Sequence, residues 1–247
     1  MRFFGLLVPL LIVSLAAGQA PPAAAPYGDI SAVKLLRPDD GEDHPSEPPP
    51  PGAIVLFDGT SLDGWVRLDG SPPNWKLLPG GIMQVGPGSL RTERTDWPLR
   101  YHLHVEFRVP YMPKHSGQWR GNSGVFLYNR YEFQILDSYG RAEPRKDDCG
   151  ALYGVAAPRV NASKAPTVWQ AFDIEFTAPT YAEGKRTRPA RFTVKHNGVL
   201  IHDDVELDAD SSRNDPSRWP RVPGGIMLQD HSAVVQFRNL WLLPRCE

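Results

Sequence analysis

Residues 121–127, GNSGVFL, and residues 131–139, YEFQILDSY, decide how this sequence folds. Both segments have the composition of short β-strands, and only residues 128–130 separate them. Glu132 and Gln134 lie two positions apart in the second segment. Because successive side chains on a strand point to opposite faces, these two side chains face the same way. A carboxyl and an amide side by side in an otherwise apolar strand indicate the floor of a polar site.

The same two-residue period recurs along the chain. Residues 101–109 and 169–178 alternate between apolar and polar side chains, which predicts strands with one buried face. Residues 191–201 are predicted to form a hairpin that turns at Asn197-Gly198. No segment keeps a helical period over three turns. With 22 glycines and 26 prolines available for turns, the pattern predicts an all-β sandwich or jelly roll.

Composition limits the partners. Hydrophobic residues make up 41% of the chain and charged residues 22%, a balance that can fill a sizeable core. The formal net charge of −1 gives no indication of nucleic acid or another polyanion as a partner.

The N-terminus has the pattern of a secretory signal. Arg2 precedes an apolar run over residues 3–17, which small residues close at Gly18. The run is short for a membrane anchor, which is the alternative. We therefore predict a signal peptide over residues 1–18, a secreted or periplasmic protein, and no membrane span once the signal is removed.

A linker is expected next, over residues 19–52. It holds nine prolines and six acidic residues against two basic ones, so it can bury little apolar surface. We expect this segment to be extended or disordered, and the folded domain to occupy residues 53–245. Two cysteines remain, Cys149 and Cys246; in an exported protein they form a disulfide or stay as two thiols.

One strand face raises the question of a metal. His102, His104 and Glu106 share a face, and alternate histidines on a strand can bind a cation together. A solvated strand face is the alternative, and we favour it because no third spaced ligand stands out. We expect no cofactor, although this pattern leaves room for a divalent cation.

Nine ordered pieces of the chain follow a pattern seen in a known family. They are residues 56–65, 106–108, 121–126, 131–137, 150–154, 161–164, 169–170, 189–191 and 228–231. In their order and spacing they resemble the 3-keto-disaccharide hydrolase family, over roughly residues 53–243. The sequence departs from the family pattern at Ser232, where glycine is usual, and at residues 165–168, where a Pro-Gly turn is usual.

This resemblance implies a concanavalin A-like jelly-roll sandwich of two antiparallel sheets that binds its substrate on the concave face. It also implies cleavage of glycosides already oxidised to a ketone at C3. That ketone makes the C2 proton acidic, so a base can remove it, and the C1 oxygen then leaves by β-elimination before water adds back. The reaction needs a base, an acid and a group that stabilises the enediolate.

Glu132 and His231 are the residues we expect to act as acid and base. An ion pair of Glu132 with Arg120 or Arg191, and a merely exposed His231, are the structural alternatives. Asp137 lies five positions beyond Glu132 on the opposite strand face, so the two cannot form the close carboxyl pair of a retaining glycosidase. The side chains expected to bind substrate are those of Asn122, Ser123, Gln134, Gln229, Arg120 and Lys164.

Two other functions remain open at this point. The first is a non-catalytic carbohydrate-binding module on the same fold, since a fold alone does not fix function. The second is an ordinary glycoside hydrolase. Trp65, Trp75, Trp119 and Trp169 are candidates for stacking on sugar rings, with core packing as the alternative.

Overall fold

The computed structural model describes residues 28–183, 185–207 and 224–246. The expected signal peptide, residues 1–18, lies outside them. Within the described residues there are two short 3₁₀ helices, Pro38–Gly41 and Gly117–Trp119, and neither is long and apolar enough to cross a membrane. The strands are β1 (Ile54–Phe57), β2 (Trp65–Arg67), β3 (Lys76–Leu78), β4 (Ile82–Gln84), β5 (Leu90–Thr92), β6 (Arg100–Arg108), β7 (Ser123–Leu127), β8 (Tyr131–Ile135), β9 (Gln170–Thr177), β10 (Thr180–Ala182), β11 (Lys185–Arg188), β12 (Ala190–His196), β13 (Val199–Leu207), β14 (Met227–Leu228) and β15 (Gln236–Pro244).

Two antiparallel sheets form the body of the molecule. Sheet A has the order β13-β12-β9-β6-β15-β4-β3, and β1 also pairs with β15. Sheet B has the order β2-β5-β14-β7-β8, while β10 and β11 form a separate ribbon. Neighbouring strands in these sequences are often distant along the chain, as in a jelly roll. The predicted all-β jelly-roll sandwich is confirmed.

The alternation along the strands determines what each sheet face carries. On β6, Tyr101, Leu103, Val105 and Phe107 lie in the core between the sheets. The intervening side chains therefore point to the outer face of sheet A. The predicted hairpin is also present, because His196 on β12 pairs with Val199 on β13. Its turn residues, Asn197 and Gly198, have φ values of 52° and 77°, the left-handed values that a two-residue hairpin turn requires.

Residues 38–48, here called the N-terminal strap, cross the outer face of sheet A. The amide of His44 donates to the carbonyl of Trp169 (2.9 Å), and the amide of Trp169 donates to the Asp43 carboxylate (2.9 Å). Farther along, the Ser46 hydroxyl donates to Glu106 (2.5 Å). These residues belong to the segment expected to be extended or disordered, and here they lie against sheet A. Polar contacts hold the strap in place, and a low content of apolar residues does not reveal them.

Candidate active site

The pairing of β7 with β8 places Glu132 and Gln134 on the outer face of sheet B. Phe133, which lies between them, points into the core. Glu132 is opposite Phe126, and Gln134 is opposite Gly124. The two polar side chains thus share one face, as the sequence predicts, and that face points away from the packed interior.

Gly124 makes room for the carboxyl of Glu132. A Cβ atom at position 124 would lie 2.8 Å from Glu132 Oε1 and 3.0 Å from the ring of Phe126. The carboxyl therefore leans across the strand pair into the space that the missing side chain leaves. Any larger residue at position 124 would push the carboxyl out of this place.

Strand β14 extends the same face. Met227 is opposite Phe126, and the amide of Gln229 donates to the carbonyl of Gly124 (2.9 Å). On the far side of β14, Arg91 of β5 is opposite Met227. We call this face the floor, and its residues are Arg91, Asn122, Gly124, Phe126, Glu132, Gln134, Met227 and Gln229.

A cluster of amides forms one end of the floor. Gln118 Oε1 accepts hydrogen bonds from Asn122 Nδ2 (3.0 Å) and Gln134 Nε2 (2.8 Å). Gln118 itself donates to the carbonyl of Asp147 (2.7 Å). Three buried amide oxygens, those of Asn122, Gln134 and Gln229, have no partner among the described residues. Buried acceptors without donors are rare in folded proteins, and hydroxyl groups of a sugar would satisfy them.

Glu132 has the electrostatics of a reactive group. Its side chain is buried, and no ion pair or hydrogen bond to its carboxyl is seen in the described parts of the chain. Burial alone raises its pKa to about 8. The alternative of an ion pair does not hold, because Arg120 pairs with Asp137 (3.1 Å) and Arg191 pairs with Asp204 and Glu206.

Arg91 is a floor residue that the sequence analysis missed. Its guanidinium donates to the carbonyl of Thr92 (3.1 Å), and it has no carboxylate partner in the described segments. Leu90, its neighbour, lies in the core, so Arg91 points outward over the floor. Only the pairing of β5 with β14 brings this cation to the face that carries Glu132.

His231 lies at the rim of the floor, two residues beyond Gln229. It is exposed, and its ring centroid lies 6.0 Å from that of Trp119. No hydrogen bond joins His231 to Glu132 in the described structure. Asp230 lies between Gln229 and His231 in the chain. Its carboxylate accepts hydrogen bonds from the amides of Gly88 (2.8 Å) and Ser232 (2.8 Å), so it caps the turn.

Three of the predicted substrate-binding residues, Ser123, Lys164 and Arg120, do not lie on the floor. Ser123 is opposite Ile135, a core residue, so its hydroxyl lies on the inner side of sheet B and donates to the carbonyl of Gln229 (2.7 Å). The strand alternation therefore places the Ser123 hydroxyl on the sheet face opposite to that of Asn122. Lys164 Nζ donates to the carbonyl of Asp39 (2.7 Å) in the strap.

Arg120, the third of these residues, lines a surface cavity of about 690 Å³ with Tyr139, Arg141 and Arg145. The size of this cavity alone does not make it a candidate active site. Arg141 pairs with Asp148 (2.8 Å), and the other two arginines also have carboxylate partners. The positive charges that line the cavity are therefore already balanced. We therefore place the chemistry at the floor.

The two cysteines are unpaired. Cys149 is buried and Cys246 is exposed. Burial raises the pKa of the Cys149 thiol to about 12, so it is not a nucleophile at neutral pH.

The outer face of sheet A is not the solvated face that the sequence suggested. His104 and Glu106 are fully buried beneath the strap. Single ligand atoms of Glu47, His104 and Asp173 lie within 4.8 Å of one another, which is a spacing that a metal ion could use. However, His104 Nδ1 lies 2.8 Å from Asp173 and its Nε2 lies 3.4 Å from Glu106.

These two carboxylates outweigh burial and raise the pKa of His104 to about 9. An imidazolium has no free lone pair for a metal. A histidine with this pKa carries a proton at neutral pH, so a metal ion would have to displace that proton in order to bind.

Comparisons with known proteins agree with this fold. Over residues 52–243 the chain matches a family described as the 3-keto-alpha-glucoside-1,2-lyase-like domain. A candidate glycosyl hydrolase from Parabacteroides distasonis ATCC 8503 is 28% identical, with a TM-score of 0.72 over 89% of this chain and 100% of that one. A second candidate glycosyl hydrolase from the same organism is 17% identical, with a TM-score of 0.58 over 79% of this chain and 94% of that one.

The comparison with curated proteins finds no match. The family match covers most of the chain and includes every residue of the floor. The chain belongs to the 3-keto-alpha-glucoside-1,2-lyase-like domain family.

Proposed function

We propose that this protein is an enzyme that cleaves 3-keto-glycosides by removing the proton at C2 and eliminating the oxygen at C1. One observation carries the proposal: Glu132 is a buried carboxyl without a partner among the described residues, and it shares the floor with three unpaired amide oxygens. A protein does not bury such a group without cost, so a ligand or a reaction is the expected reason.

The raised pKa suits Glu132 to the role of base. A carboxylate with a pKa near 8 is a stronger base than an ordinary one, and its pKa is close to neutral pH. It takes the C2 proton, and the electron pair of the C–H bond forms the C2–C3 double bond. The carbonyl oxygen at C3 then carries the negative charge of an enediolate.

Arg91 is the floor cation that can stabilise this charge. A guanidinium donates hydrogen bonds to an oxyanion and cannot lose its own proton near neutral pH. Lys164 and Arg120 are the other cations expected to bind substrate, but Lys164 donates to a backbone carbonyl and Arg120 pairs with Asp137. Within the part of the chain that the structure describes, Arg91 has no such carboxylate partner.

The elimination is completed when the enediolate re-forms the C3 carbonyl and a double bond forms between C1 and C2. The electron pair of the C1–O bond leaves with the oxygen, and His231 supplies the proton that the oxygen takes up. Water then adds to the double bond, with hydroxyl at C1 and hydrogen at C2, so the net reaction is hydrolysis. The unpaired oxygens of Asn122, Gln134 and Gln229 accept hydrogen bonds from sugar hydroxyls and hold the ring over Glu132.

An ordinary glycosidase mechanism has less support. Retaining enzymes place two carboxyls about 5 Å apart across the scissile bond. The floor holds one carboxyl, and Asp137, the next acid along the chain, is bound by Arg120. A 3-keto substrate needs only one carboxyl, because the ketone itself activates the C2 proton.

A paired assay tests the proposal. The purified full chain is incubated in D₂O with a 3-keto-glycoside and, separately, with its unoxidised parent. We expect release of the leaving alcohol from the 3-keto compound alone, with deuterium at C2 of the product. Cleavage of the parent without exchange would replace the proposal with glycoside hydrolysis. Binding of either sugar without cleavage would identify a carbohydrate-binding module.

We also propose that the protein acts outside the cytoplasm. The pattern over residues 1–18 supports this. Cell fractionation and N-terminal sequencing of the mature protein test it. We expect cleavage after Gly18, and a full-length protein in the cytoplasm would refute export.

A further inference from the structure

Trp119 is an exposed aromatic side chain beside the floor. Its exposed fraction of 67% is the largest of the large apolar side chains in the described residues. An indole ring has much apolar surface, and folding normally covers most of it. The other tryptophans that the sequence analysis considered behave in that way, since Trp65, Trp75 and Trp169 are all buried.

The exposure of Trp119 is not a result of a loose segment. Trp119 closes the 3₁₀ helix Gly117–Trp119, and its amide donates to the carbonyl of Ser116 (3.2 Å). Its neighbour Gln118 is bound to two floor residues, Asn122 and Gln134. The ring is therefore presented to solvent from a backbone that is tied to the floor.

His231 sets the position of Trp119 relative to the reaction. The two ring centroids lie 6.0 Å apart with an angle of 57° between the planes. In the proposed function His231 protonates the oxygen that leaves C1. A ring that lies against His231 is consequently on the side of the leaving group, whereas Glu132 faces the oxidised sugar.

We infer that Trp119 forms a subsite for the leaving group, where the apolar C–H face of a second sugar ring packs on the indole. This inference rests on the proposed function and assigns Trp119 the recognition of the leaving group, so that Trp119 sets how strongly the enzyme prefers a sugar to a small alcohol at that position. A pyranose has apolar faces and hydroxyls at its edges, so it can cover the indole while its hydroxyls stay in water. Such packing adds affinity without taking part in bond cleavage.

The test compares two substrates and one substitution. W119A is assayed with a 3-keto-disaccharide and with the methyl 3-keto-glycoside of the same oxidised sugar. We expect kcat/KM for the disaccharide to fall roughly 10- to 100-fold, mostly through KM, as the loss of one stacked ring predicts. For the methyl glycoside we expect a change of less than about twofold, because its leaving group does not reach the indole.

Matched variants complete the test. W119F should keep part of the preference for the disaccharide. Y181A, which removes another exposed aromatic ring, should leave kcat/KM unchanged with both substrates. An equal loss with both substrates, or no loss with either, would overturn the subsite while leaving the proposed reaction intact. Failure of the wild-type protein to turn over either substrate would instead overturn the proposed function, and the subsite with it.

Discussion

Glu132 on the outer face of sheet B and Glu106 on the outer face of sheet A are both less than a tenth exposed. Glu106 receives hydrogen bonds from Ser46 (2.5 Å), Asn239 (2.7 Å) and Arg238 (2.6 Å), and it also faces His104. Glu132 receives none from the described residues. Their pKa values move in opposite directions, to about 2 for Glu106 through its hydrogen bonds and to about 8 for Glu132 through burial.

The difference between these carboxyls separates a structural role from a reactive one. The partners of Glu106 offset the cost of burial and keep it charged, so it holds the strap to sheet A. No described residue offsets the cost of burying Glu132, so its carboxylate can accept a proton from the substrate. The same residue type therefore stabilises one face of the molecule and destabilises the other.

The largest expected effect is on activity. E132Q should lower kcat/KM for a 3-keto-glycoside by roughly 10²- to 10⁴-fold, because the amide cannot accept the C2 proton. E106Q, the matched variant on sheet A, should stay within about threefold of the wild type, since Glu106 lies on the other face. Steady-state assays on the folded proteins measure both. Comparable activity of E132Q and the wild type would remove Glu132 from the reaction.

The same two substitutions should change stability in opposite directions at pH 8. The folded pKa of Glu106 is lowered, so its stabilisation is present above the unfolded value of 4.5 and is lost as the pH falls through about 2. E106Q should therefore cost about 2–4 kcal/mol, because it leaves Arg238 without its carboxylate.

The folded pKa of Glu132 is raised, so its contribution is present below pH 4.5 and is lost as the pH rises through about 8. E132Q should consequently be more stable than the wild type at pH 8, on the order of 2 kcal/mol. Urea unfolding at pH 5 and pH 8 measures both changes. If E132Q were less stable than the wild type at pH 8, the carboxyl would have a stabilising partner after all.

The pH dependence of kcat/KM is expected to be a smaller effect than the loss of activity in E132Q. If Glu132 is the base, kcat/KM should rise about tenfold per pH unit up to its pKa of about 8 and then level off. The measurement is a profile of kcat/KM from pH 5.5 to 9.5, corrected for the stability of the protein at each pH. A limb that falls through pH 8 would assign Glu132 the role of the acid and leave the base to His231.

The smallest effect concerns the space beside Glu132. G124A would add a Cβ atom 2.8 Å from Glu132 Oε1, so the carboxyl must move away from the floor. We expect about a tenfold loss of kcat/KM and a change of less than about 1 kcal/mol in stability, because the side-chain end can shift more easily than the backbone. Full activity in G124A would show that the position of the carboxyl over Gly124 is unimportant.

Much of the fold follows from local pattern. The alternation in β6 and β9, the turn at Asn197-Gly198, and the shared face of Glu132 and Gln134 are all present in the structure. Each depends on a two-residue period or a turn preference, which a single segment contains in full.

The parts that sequence alone missed depend on pairing between distant strands. Arg91 reaches the floor only because β5 pairs with β14, and Gln118 joins it through side-chain contacts. Ser123 was expected among the substrate-binding residues, yet the alternation of β7 already indicates that it points inward, since Val125 and Leu127 on the same strand are apolar. The strap escaped notice because its docking depends on buried polar groups of sheet A, which its own composition does not encode.

The N-terminal strap also determines at which residue a shortened form of the protein should begin. The family match begins at residue 52, and a fragment started there would lack Asp43, Ser46 and Glu47. Trp169 would lose the acceptor for its amide, and Glu106 would lose the hydroxyl of Ser46. A fragment for crystallisation or fusion should therefore begin no later than Arg37, which pairs with the buried Asp40 at the first turn of the strap.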